Sequence, residues 1–123
     1  MTRSRASLGR RGEAIVAARL AAAGWHIVAT NWRCPEGEID VVARDGACLV
    51  IVEVRTRAST RMGTPEESVG PAKRVRLARL ANRYAYETGW SGAYRIDVFA
   101  VTLSADGTPR VIHHRNAVSG DWA

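Results

Sequence analysis

Seven segments in the order αβββαββ predict an α/β protein: a three-layer α/β/α sandwich around a central mixed sheet of five strands. Three observations point there. An Ala-rich stretch opens the chain and stops at Gly24, and Val- and Ile-rich segments alternate on either side of Asp45-Gly46. A strand, helix, strand passage over residues 48–103 then permits a right-handed parallel crossover.

The first helix is expected over Ser7 to Ala23, SLGRRGEAIVAARLAAA, with residues 1–6 disordered. Val16, Ala17 and Leu20 make a stripe at helical spacing, and Glu13 falls on it one turn earlier. Trp25 to Trp32 reads as the first strand, and Cys34-Pro35-Glu36-Gly37 as the loop after it. Ala58 to Pro71 is rich in Gly, Pro, Ser and Thr and is expected to be a mobile loop. Pro71 to about Thr88 is a second helix, with Leu77, Leu80, Ala81 and Tyr84 inward and Arg76, Arg79 and Arg83 outward; Gly89 ends it. Tyr94 to Leu103 is a fourth strand, and Asp106-Gly107 turns the chain into a fifth, Arg110 to His114. With no repeat, linker or low-complexity tract, residues 1–123 read as one domain, large enough for a real core.

The most informative stretch is Gly37 to Arg57, GEIDVVARDGACLVIVEVRTR. It reads as a β-hairpin turning at Asp45-Gly46. That turn sets Asp40 opposite Ile51 and Glu38 opposite Glu53. Side chains repeat with period two, so Glu38, Asp40, Glu53 and Arg55 share one face, beyond the apolar Val42, Leu49 and Ile51. Facing like charges destabilise a sheet, and a divalent cation is the economical way to offset them.

Bulk properties narrow the class. Hydrophobic content of 46% and charged content of 24% suit a globular protein. Cys34 and Cys48 form neither a disulfide framework nor a metal-ligand spacing, which favours reduced thiols in the cytosol. No run approaches the ~18 apolar residues of a membrane span, and the Arg-rich start lacks the apolar segment of a signal peptide. A cytoplasmic protein without a membrane role is expected. A net charge of +6 favours a polyanionic partner, most simply nucleic acid. Of the 18 basic residues, Lys73 is the one lysine; the arginine bias itself reflects genomic composition more than function.

Several blocks now occur in a telling order: Arg11-Gly12-Glu13, then Gly37-Glu38-Ile39-Asp40, then VEVRTR from Val52 to Arg57. Gly63-x-Pro65 and Arg95-Ile96-Asp97-Val98 follow. From about Leu8 to Ala117 the chain resembles the small bacterial YraN family of uncharacterised proteins. More widely it resembles the PD-(D/E)xK nuclease superfamily and is similar to archaeal Holliday-junction resolvases. The resemblance implies a restriction-endonuclease-like fold and metal-dependent endonuclease activity on structured or branched DNA. It implies that Asp40 and Glu53 hold Mg²⁺ or Mn²⁺ with the Val54 carbonyl, and that Glu13 assists through water. A homodimer follows by analogy with resolvases that cut two symmetric strands.

The chemistry is coherent on its own terms. Phosphodiester hydrolysis needs an acidified water and a neutralised developing charge, which a hard divalent cation supplies. Mg²⁺ keeps several waters, so one or two carboxylates suffice. Position 55 departs from the superfamily pattern, which has lysine there. Arg55 keeps the charge that stabilises a phosphate, but its pKa above ~12 bars it from acting as a base. Lys73, at the start of the second helix, is the one lysine that could substitute. Arg10, Arg11, Arg57 and Arg61 are candidate phosphate contacts, giving sequence-independent binding.

Plainer roles compete. Glu13 would also suit the positive end of its helix, and Asp40 and Glu53 could be a solvated strand end paired with Arg55 and Arg57. Asp97, amid core residues, suits a structural salt bridge as well as a site role. His26, His113 and His114 read as ordinary strand residues, and Trp25, Trp32, Trp90 and Trp122 as packing. The rival function is a catalytically impaired DNA-binding protein, supported by Arg55; a weaker one is a domain whose basic face meets an acidic protein.

Overall fold

A computed structural model describes residues 5–59 and 63–118. Helix α1 spans Arg5–Ala22, followed by strands β1 (His26–Cys34), β2 (Gly37–Asp45) and β3 (Cys48–Arg57). A 3₁₀ turn at Glu66–Ser68 precedes helix α2 (Pro71–Thr88), and β4 (Tyr94–Leu103) and β5 (Pro109–His114) complete the order αβββαββ. Helix therefore begins at Arg5, so residues 5 and 6 are not part of a disordered tail as expected. Pro71 at the first helical position and Gly89 at φ 70° just past the end bound α2.

The five strands lie in chain order across one sheet. β3 and β4 run parallel, which the α2 crossover makes possible, and every other neighbouring pair is antiparallel. α1 covers one face through Val16 and Leu20 against Val41, Val50, Val52, Phe99 and Val101. α2 covers the other through Leu77, Leu80, Ala81 and Tyr84 against Val42, Leu49, Ile51, Ile96 and Val98. The three layers follow from this: β3 is buried on both faces from Leu49 to Val54, as its unbroken apolar run requires.

Two expectations are corrected. The β2–β3 ladder pairs Asp45 with Cys48 and Val42 with Ile51, so the loop residues are Gly46 and Ala47, not Asp45 and Gly46. This slip of two residues preserves faces but changes partners. Continued one step past its last pair, Val41 with Val52, the register brings Asp40 opposite Glu53 rather than Ile51. The second correction concerns the expected mobile loop. Two of its described residues anchor it to the core, Pro65 being buried and Val69 packed among α2 and the sheet.

α1 sits unusually close to β3. A Cβ placed on Gly12 would collide with Thr56 Oγ1 and stand about 3 Å from that residue's Cβ and Cγ2. Only glycine allows this approach, and the approach sets how far Glu13, the next residue, projects over the sheet. Gly12→Ala should lower stability by about 1–3 kcal/mol, read as a fall in the urea midpoint at unchanged slope. An unchanged midpoint would show that the helix can shift at no cost.

Candidate active site at the split between β2 and β3

Strand alternation breaks at Asp40. Ile39 packs on the α2 side, yet Val41 packs on the α1 side, although residues two apart should share a face. Across the β1–β2 ladder Thr30 pairs with Val41 and Trp32 with Ile39, which leaves Asn31 opposite Asp40. Asn31 has φ 51°, the left-handed region that asparagine tolerates better than most residues. The two strands thus turn over together at this point, and β2 parts from β3 just beyond Val41 and Val52.

Asp40 fills the opening. Its Oδ2 accepts the backbone N–H of Val54 at 2.8 Å, replacing a ladder bond with a side-chain one. Glu53 lies alongside, 2% exposed, and within hydrogen-bonding reach of Asp40. Burial, and next the charge of Glu53, push the Asp40 carboxyl up to about 8, in spite of the Val54 N–H. The two carboxylates expected to share a site do meet, directly across the split and not diagonally.

Two cations converge on the same oxygen. Glu53 Oε2 receives Arg55 Nη1 at 3.3 Å and Lys73 Nζ at 3.3 Å. Arg55 is further anchored, its Nε donating to Ser68 Oγ at 2.7 Å while Ser68 donates to the Pro65 carbonyl at 2.6 Å. Glu13 reaches the split from α1. Its Oε2 accepts from Asn31 Nδ2 at 3.2 Å, and the same amide nitrogen donates to Glu38 at 2.8 Å. Glu13 is near enough for its charge to raise the Asp40 carboxyl further. Glu38 was expected on the face of Glu53 and Arg55; the turnover at Asp40 sends it to the side of Glu13 instead.

Among the described residues no three His, Cys, Asp or Glu side chains form a ready-made metal cage. The donor set still fits a hard cation. Two carboxylates abut, and burial together with the charge of Glu53 drives Asp40 to take up a proton, a cost that an oxygen-seeking divalent ion would relieve. The resemblance implied the Val54 carbonyl as a third ligand; the observed contact of Val54 with Asp40 is through its N–H.

The expected phosphate contacts scatter. Arg57 lines a groove of about 450 Å³ with Leu8, Val54, Arg55, Ser59 and Ser68, adjoining the split. Arg10 is exposed near the start of α1. Arg11 instead turns to the β4–β5 connection, its Nη2 3.5 Å from the Gly107 carbonyl, and is not brought to the carboxylates. Arg61 and Trp122 lie outside the described residues. Asn31 and Ser68 were not singled out in the sequence. An asparagine amid a strand was the one available hint for the first, and nothing marked the second.

A family model described as "Uncharacterised protein family UPF0102" matches residues 12–101, most of the chain. The chain belongs to UPF0102. This bears out the YraN resemblance, since the two names denote one family. A UPF0102 protein of Herpetosiphon aurantiacus is 47% identical over 118 residues, covering 92% of this chain and 94% of its own. One from Anaeromyxobacter dehalogenans is 49% identical over 118 residues, covering 95% and 87%. One from Moorella thermoacetica is 51% identical over 104 residues, covering 84% and 87%. The UPF0102 match spans Glu13, Asn31, Asp40, Glu53, Arg55, Ser68 and Lys73, every residue that meets at or supports the split.

Proposed function

We propose that this UPF0102 chain is a metal-dependent endonuclease of PD-(D/E)xK type that hydrolyses phosphodiester bonds of structured or branched DNA in the cytoplasm. The meeting of Asp40 with Glu53 where β2 leaves β3, with Arg55 and Lys73 beside them, carries this reading. Asp40 and Glu53 would hold Mg²⁺ or Mn²⁺, with Glu13 acting through water. The bound ion would acidify the attacking water and neutralise charge on the phosphate. The chain's own residues do the rest. Asp40 is fixed by the Val54 N–H, Glu53 by two cations, and the groove lined by Arg57 offers a path for a sugar-phosphate backbone. A net charge of +6 favours the approach of a polyanion. No helix among the described residues is long and apolar enough to cross a membrane. By analogy with two-strand resolvases, the working form is proposed to be a homodimer.

Incubation with branched, flapped and linear DNA tests this. Cutting is expected with Mg²⁺ or Mn²⁺ and should stop in chelator. Cleavage that persists in Asp40→Ala would mark a contaminant and end the proposal.

A second reading rests on one observation. Arg55 stands where lysine is expected, and its donors already serve Ser68 and Glu53. On that view the chain binds DNA and does not cut it, and binding survives chelator unchanged.

A further inference from the structure

We infer that Lys73 supplies the phosphate-facing cation of this site, and that Arg55 is a positioning residue. The inference deepens the endonuclease reading and rests on it for the reaction. In sequence Lys73 lies outside the β2–β3 hairpin, twenty positions after Glu53. The crossover helix brings it back: Lys73 is the third residue of α2, and its Nζ comes within 3.3 Å of Glu53 Oε2.

The two cations differ in what they can still do. Arg55 spends Nε on Ser68 Oγ and Nη1 on Glu53, and Ser68 is itself held by Pro65. Its guanidinium therefore ties the buried carboxylate to the turn that precedes α2. A planar fork held at two points has little freedom to follow a reacting phosphate. Lys73 has a flexible stem, three donors on one nitrogen and, among the described residues, one ion-pair contact, to Glu53; its side chain is 25% exposed. It can keep Glu53 within reach and present its remaining hydrogens to an anion seated beside that carboxylate.

The step this serves balances without an added reagent. A water oxygen bonds to phosphorus and the P–O bond to the departing strand breaks. One water proton ends on the departing oxygen, and the new phosphate monoester releases the other to solvent. Lys73 acts as a hydrogen-bond donor to a non-bridging phosphate oxygen throughout, a role that calls for charge and not for proton transfer.

Lys73→Gln, Lys73→Arg and Arg55→Gln separate the roles when cleavage in Mn²⁺ and DNA binding in Ca²⁺ are both measured. Lys73→Gln should lower kcat at least a hundredfold, and Lys73→Arg should restore most of the loss. Lys73→Gln should also reduce the slope of log binding against log salt by about 0.9, one phosphate contact, and by more than Arg55→Gln does. Should the parent cut while Lys73→Gln cuts equally well, Lys73 is only a partner for Glu53 and the assignment falls. A parent that binds but never cuts defeats the endonuclease reading alone. The salt slope then still decides Lys73: a loss near one contact supports it, and no change overturns it. A parent that neither cuts nor binds ends both.

Discussion

Asp40→Asn should abolish cleavage and at the same time make the metal-free protein more stable. Activity is expected to fall at least a thousandfold, about 4 kcal/mol of transition-state stabilisation, because a neutral amide is a poor ligand for a hard cation. Stability should move the other way. Asp40 is partly buried beside Glu53 and its carboxyl is pushed up to about 8 from the ordinary 3.8. Between those values the folded chain holds a proton that the unfolded chain has released. Stability contributed by that proton is complete below about pH 4 and is lost as pH rises toward 8. At pH 8 the parent therefore carries an uncompensated charge that Asn lacks. The melting temperature of Asp40→Asn should exceed that of the parent by about 5 °C at pH 8 and by little at pH 5. Saturating Mg²⁺ should close the gap by stabilising the parent only, since a cation that binds the native state alone raises stability by mass action. Equal melting temperatures at both pH values would show that Asp40 is not under strain from Glu53.

Whether such a site could be read from the chain depends on which step is asked about. Strand alternation and helical spacing located all seven elements, and the α2 core residues Leu77, Leu80, Ala81 and Tyr84 are buried as expected. The hairpin register was misplaced by two residues, yet Val42, Leu49 and Ile51 kept their face, because a slip of two preserves alternation where a slip of one would invert it. The turnover at Asn31 and Asp40 was not legible. Gly37 to Val42 alternates regularly on paper, and only packing on both faces shows that Ile39 and Val42 belong to one core. Glu38 was misassigned for that reason. The approach of Lys73 to Glu53 depends on how α2 lies across the sheet, a tertiary fact with no local signature. Arg11 is the converse case: it lies two positions from Glu13, but residues two apart on a helix do not face each other, and it turns to the β4–β5 connection.

The largest loss of stability is expected at Asp97, which pairs with Val52 on the neighbouring strand. This carboxylate is fully buried on β4 and completely partnered. Arg95 Nε bonds its two oxygens at 3.0 and 3.2 Å, His113 Nε2 lies 2.7 Å from Oδ2, and the backbone N–H of Asn116 donates to Oδ1 at 2.9 Å. Arg95, its side chain 10% exposed, also reaches Asp45 at 3.1 Å and lies over the Trp25 ring at 5.2 Å. His113 stacks on Phe99 with ring centres 4.1 Å apart. The network therefore joins β4, β5, the hairpin end and the chain after α1, and it resolves Asp97 as structural. Asp97→Ala leaves the Arg95 Nε–H and the Asn116 backbone N–H without their acceptor, a defect that costs about 3–5 kcal/mol. Removing both charges is a different matter. Arg95→Met combined with Asp97→Leu should recover much of that loss, because a buried ion pair contributes little beyond the penalty of breaking it on one side. Urea midpoints at pH 7 for the parent, the single variant and the double variant make the comparison. A cost below about 1 kcal/mol for Asp97→Ala would show that water reaches the network and screens it, as it does exposed pairs.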